Sequence, residues 1–277
     1  METARVSLFL APSSLLTKNR KCTPMIRMTR LSQVSARLAL IAPLAALIAA
    51  CTTSDASTGS PLHGSANAAA SAPSLGSASG FAVLGASTAT CTNASDVTGD
   101  VGVSPGTAIT GFHPDCTITG TIHAGDGVAA QAHSNLYTAY NDLKAVACEY
   151  NLTGADLGGQ TLAPGVYCFD TSVGLTGDLT LDAGGDSTAA WIFQIGSTIT
   201  TASNSSVIMA GSGEPCNVFW QVGSSGTIGI GTAFQGNLLA SASITLTSGS
   251  TLVGRALALN AAVTMDNNNV SLGNCSQ

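Results

Sequence analysis

Three consecutive segments of this chain begin 20 and 19 residues apart: QVGSSGTIGIGTAFQGNLLA at Gln221, SASITLTSGSTLVGRALAL at Ser241 and NAAVTMDNNNVSLGN at Asn260. Each alternates aliphatic with small hydroxylated residues and then turns on Gly or Asn. A period near 20 built of short strands matches one coil of a β-solenoid, in which a rung buries its apolar face only by stacking on the next. Charged residues at 9% and aromatics at 5% argue against an ordinary helical globule. The expected fold is mainly β, a right-handed parallel β-helix with one long α-helix packed alongside.

Strand parity then sorts the threonines. In SITLTSG, Ile244 and Leu246 point inward while Thr245 and Thr247 point outward. The same parity sets Thr198 with Thr200, Thr227 with Gly229, Thr264 with Asp266, and Thr180 with Asp182. Stacked in register, these residues make files on a flat sheet, with rungs about 4.8 Å apart and alternate residues of one strand about 7 Å apart. Threonine's high β propensity accounts for its presence on any exposed strand; a file of methyls and hydroxyls at fixed intervals also orders water as a lattice.

Charge is unevenly placed. Seven of nine Lys and Arg precede Cys51, and the remainder holds two cations, Lys144 and Arg255, against fourteen acids, a net of −12. Nucleic-acid binding needs cations to replace phosphate counterions, so that class is excluded. The basic stretch leads into LALIAPLAALIAAC, which resembles a bacterial lipoprotein signal with Cys51 as the lipidated residue. Residues 1–50 are therefore expected to be a signal region, with the true start at Met25 or Met28. Residues 51–79, rich in Ser, Ala and Gly, follow as the lipidated cysteine and a flexible linker, and residues 80–277 form the folded domain. The expected location is outside the cytoplasm, as an outer-surface or outer-membrane lipoprotein, otherwise secreted.

Six cysteines follow the linker, and six allow fifteen pairings. Nearest neighbours are expected to pair: Cys91 with Cys116, Cys148 with Cys168, and Cys216 with Cys275. There is no CxxC for a zinc ribbon, and His113, His123 and His133 lack metal-ligand spacing, so no metal and no cofactor are expected. Between Gly125 and Glu149 a helical period sets Val128, Ala132, Leu136, Tyr140, Leu143 and Ala147 on one stripe, with Asp126 as N-cap and Tyr137 and Tyr140 read as packing residues. The helix and the N-terminal segment are candidates to cover the solenoid's open ends.

FAVLGAST (81–88), VTGDVGVSPGTAITGF (97–112), TLAPGVYCF (161–169), WIFQIGST (191–198), NVFWQVGSS (217–225) and GRALALNAAVTMD (254–266) together resemble the microbial ice-binding (antifreeze) protein family. The resemblance implies a discontinuous β-solenoid flanked by one long helix, a flat ice-binding face and no catalysis. It also implies a Thr-Ala/Gly-x-Thr/Asn pattern in more active members, matched at Thr201-Ala202-Ser203-Asn204, while Ile230-Gly231-Thr232-Ala233 and Thr247-Ser248-Gly249-Ser250 depart from it. Parity and pattern nominate Thr198, Thr200, Thr201, Asn204, Thr227, Thr232, Thr245, Thr247, Ser250, Thr251 and Thr264 as ice-binding candidates. The expected partners are an ice surface and, through Cys51, a membrane; a monomer is expected. The competing readings are a cell-surface adhesin and a solenoid that binds or cleaves polysaccharide. For cleavage, Arg255 and Lys144 are the available bases and Asp178, Asp182 and Asp186 the available carboxylates, which beside glycine also read as turn residues.

Overall fold

The computed structural model describes residues 72–275, His113 excepted. The signal region, Cys51 and the linker up to residue 71 lie outside the described residues. The described chain forms a parallel β-solenoid with three faces and one α-helix, α1 (Gly127–Ala145).

Each coil runs across a helix-side face, then a seven-stranded face, then a third face. Trp191–Ile195, Ile199–Thr201 and Ser206–Ala210 make one such turn. The helix-side and third faces are joined into one 15-stranded sheet by Ala233–Ala240 and Thr251–Ala258, two long strands that bend around a corner. They bend at Gly236 (φ +111°) and Gly254 (φ +142°), a backbone region that disfavours any side chain. A Cβ at Gly254 would also run into the Gly236 carbonyl oxygen.

The solenoid is discontinuous. The first strand, Phe81–Gly85, pairs on one side with Thr251–Ala258 and on the other with Asp100–Val103. The N-terminal coil is thus inserted between the C-terminal coil and the second coil, so it does not cover an end. Inside, Tyr167, Phe193, Trp220 and Phe234 stack as a ladder, with successive ring centroids 5.5, 4.0 and 5.0 Å apart. Each aromatic fills one rung and packs on its neighbours, which holds the bore to a fixed width.

The helix covers a side rather than an end. Outward residues of the helix-side face are apolar, including Leu84, Val166, Ile192, Phe219, Leu239 and Leu257, and they form a second core with Leu136, Ala139, Tyr140 and Leu143 of α1. Burying that face is what places the helix. The expected stripe is correct at Ala132, Leu136, Tyr140 and Leu143 but wrong at its ends: Val128 is 49% exposed, and Ala147 follows the helix. Tyr137, at 60% exposure, is not a packing residue. The phase is set by Asp126, whose carboxylate accepts the Ala129 N–H at 2.9 Å and directs Ala129 and Ala132 inward.

The Ala129 bond and His123, at 2.8 Å, hold the Asp126 carboxyl below its ordinary value of 3.8. A depressed carboxyl contributes stability above 3.8 that disappears as pH falls through its lower folded value. Asp126→Ala is therefore expected to melt below the parent at pH 7, and the gap to close below pH 3.8, by thermal denaturation followed by circular dichroism.

The cysteines pair as Cys91–Cys116, Cys148–Cys168 and Cys216–Cys275. Among the described residues no helix is long and apolar enough to cross a membrane.

Candidate functional site

The seven-stranded face runs in the order Val173–Leu175, Ile199–Thr201, Gly226–Ile228, Ile244–Leu246, Val263–Asp266, Thr88–Thr92, Ala108–Thr110. Val173 and Leu175, Ile199 and Thr201, Gly226 and Ile228, Ile244 and Leu246, Val263 and Met265, and Ala89 and Cys91 are buried inward, and the residue between each pair points out. In register, the outward file reads Gly174, Thr200, Thr227, Thr245, Thr264, Thr90, Thr110. Six threonines stand on six adjacent rungs, and the seven strands span roughly 29 Å at the usual spacing.

A second file, two residues earlier, contains Ser172, Thr198, Ser225, Ser243, Ala262, Thr88 and Ala108. Its hydroxyls bond along the file: Thr198 Oγ1 donates to Ser172 Oγ at 2.9 Å, and the Ser225 and Ser243 hydroxyls lie 3.1 Å apart. On the far side Thr247, Asp266 and Thr92 begin a third file. The result is a flat array of small hydroxylated and methyl-bearing side chains with Asp266 at its margin. Such hydroxyls are fixed by β-branching and by neighbours above and below, so little side-chain entropy remains to be lost on binding.

This face gathers Thr198, Thr200, Thr227, Thr245, Thr247 and Thr264 of the nominated residues, and adds Thr88, Thr90 and Thr110. Those three were missed because Thr88–Thr92 stacks on the C-terminal coil, about 170 residues away in sequence, with Ala108–Thr110 stacked beyond it, and no local repeat signals that contact. The remaining nominations lie off this face. Thr201, Thr232 and Ser250 are 3%, 0% and 1% exposed, so they cannot touch a surface. Asn204 sits in a left-handed turn (φ 58°) at the next corner. Thr251 and the Thr180–Asp182 pair lie on the third face.

The buried three have a structural task. Thr201 Oγ1 accepts the Gly229 N–H at 2.7 Å and lies 3.0 Å from Thr232 Oγ1, which donates to the Ala202 carbonyl. Asn268 Nδ2 donates to Ser250 Oγ at 2.9 Å. This polar spine ties successive coils at the corner, where turn backbone would otherwise be buried without partners. Thr232→Val keeps the shape and removes the hydroxyl; it is expected to cost about 1–2 kcal/mol in urea denaturation. The Thr-Ala-x-Thr/Asn spacing also recurs at Thr107–Thr110 and, on α1, at Thr138–Asn141, so by itself it does not mark a face.

Other chemistry is dispersed. Asp182 accepts the Gly184 N–H at 2.9 Å, and Asp186 binds the Thr188 N–H and hydroxyl at 2.8 and 2.7 Å, which are turn roles. Those Thr188 bonds hold the Asp186 carboxyl below its ordinary value. Lys144 is on the outside of α1, whereas Arg255 is 2% exposed and fully engaged. His123 sits beside Asp126, and His133 bonds the Leu259 carbonyl oxygen at 2.8 Å. No cluster of three metal-ligating side chains occurs among the described residues.

The chain is similar to known proteins in both sequence and fold. The ice-binding-like family pattern matches residues 83–271. An ice-binding protein of Nostoc sp. (strain HG1) is 56% identical over 204 residues, covering 73% of this chain and 75% of its own length. The crystal structure of an ice-binding protein from Antarctomyces psychrotrophicus is 40% identical and superposes with a TM-score of 0.70, over 73% of this chain and 98% of that one. One from an Arctic yeast is 35% identical with a TM-score of 0.68, over 72% and 93%. The chain belongs to the ice-binding-like family.

Proposed function

We propose that this protein adsorbs to ice through the seven-stranded threonine face and inhibits ice growth or recrystallisation, without catalysing a reaction. The carrying observation is the unbroken file Thr200, Thr227, Thr245, Thr264, Thr90, Thr110 in parallel register. Water held between fixed hydroxyls joins the crystal lattice, while the methyl groups leave bulk water as the faces meet. No single residue dominates such a contact, and charges that would order water around themselves are confined to the margin. The names of the relatives support the same reading.

The chain is further proposed to be exported, with LIAAC at 47–51 directing lipid attachment to Cys51 and, failing that, secretion. A monomer suffices, since the face is complete within one chain. The test is ice recrystallisation inhibition by purified protein beside a reduced, heat-unfolded control. Inhibition that is lost on unfolding supports the reading; equal activity of the unfolded chain, or none from folded protein, overturns it.

A further inference from the structure

The described chain enters and leaves the fold at one place. Arg255 Nε and Nη2 donate to the Ser79 carbonyl oxygen at 2.9 and 2.6 Å, and Nη2 also donates to the Cys275 carbonyl oxygen at 2.8 Å. Nη1 reaches Asn237 Oδ1 at 2.7 Å, and Cys275 is disulfide-bonded to Cys216. Ser79 stands just before Phe81–Gly85 on the helix-side face, and Cys275 just after Asn269–Ser271 on the third face. Their meeting point is the corner between those two faces. In a three-faced prism, that corner is the one opposite the threonine face.

The entry is also mechanically secured. Phe81–Gly85 is hydrogen-bonded on both sides, so tension applied at Ser79 must shear two parallel ladders at once and also break the Arg255 clamp. An edge strand would peel one bond at a time. Twenty residues separate Cys51 from the first described residue, a chain that reaches on the order of 70 Å at full extension. That reach exceeds the span of the threonine face.

We infer that the chain is a tension-resistant mount: attached to a lipid surface through its N-terminal side, at the corner away from the threonine face, it leaves that face unobstructed and holds the cell that carries it at ice. This rests on the ice-binding reading and on lipid attachment at Cys51. Many copies on one surface convert modest single contacts into strong capture.

The test uses the full chain expressed in a bacterium that lipidates exported cysteines, as the native sequence, Cys51→Ala and Thr245→Tyr. Membrane-bound protein is quantified, cells retained on an ice surface under flow are counted, and protein clipped from the cells by protease is assayed separately for ice adsorption. Native cells are expected to be retained at least about tenfold better than either variant, with Cys51→Ala protein released and still ice-adsorbing. Membrane-bound native protein that adsorbs to ice once clipped, yet retains no cells, overturns the mount geometry. Native protein found only in the medium, or Cys51→Ala cells retained equally, overturns the anchor. Clipped protein that ignores ice overturns the ice-binding reading beneath both.

Discussion

Thr245→Tyr is expected to reduce recrystallisation inhibition by at least about tenfold, equivalent to roughly 1.4 kcal/mol of adsorption free energy. Thr245 sits in the middle of the outward file, with Thr227 and Thr264 on the adjacent rungs. A phenol ring there stands above every neighbouring hydroxyl and methyl and holds a flat crystal plane off the face. The side chain points away from the core, whose nearest members, Ile244 and Leu246, are untouched. Thermal stability is therefore expected to stay within about 0.5 kcal/mol of the parent, as for other surface substitutions. A matching substitution, Thr251→Tyr, places the same ring on an exposed position of the third face and is expected to leave inhibition unchanged.

Arg255→Met should act on stability and leave the threonine face alone. Methionine fills much of the volume but removes every donor to Ser79, Cys275 and Asn237 Oδ1. Asn237 is fully buried, and leaving such acceptors unpaired costs about 3 kcal/mol together. For a domain of this size that lowers the melting temperature by roughly 10 °C. Burial pushes the guanidinium down to about 10, which still leaves it charged at neutral pH with all its donors available. Differential scanning calorimetry at pH 7 checks the value; a shift under about 2 °C would show that the corner is held by the Cys216–Cys275 bridge alone.

The coil was legible in the sequence because its signals are local. Period-two alternation in SITLTSG, a spacing near 20 residues and Gly or Asn at the turns each follow from strand and turn geometry. Thr245, Thr227, Thr264 and Thr200 were placed on one face by that parity. The family's Thr-Ala/Gly-x-Thr/Asn pattern misled where a coil turns its corner: it nominated Thr201, which follows outward Thr200 and so by parity points in, and Thr232 and Ser250 lie where the strand pattern gives way to turn backbone. There their hydroxyls satisfy carbonyls and amides instead of facing water. Stacking order was not legible either. Thr90 and Thr110 join the file only because Thr88–Thr92 docks on Val263–Asp266, a pairing that a chain-order reading of successive coils cannot anticipate. Tyr137 shows a similar limit, since a helical period fixes spacing but not which residues meet the sheet.

Ice-affinity partition of the native protein, Thr245→Tyr and Thr251→Tyr side by side tests the central assignment most directly. As a slowly growing ice front advances, native protein and Thr251→Tyr should be taken up into the ice, with Thr245→Tyr left in the liquid at equal folded content. Uptake of Thr245→Tyr with exclusion of Thr251→Tyr would contradict the account and move the binding surface to the third face.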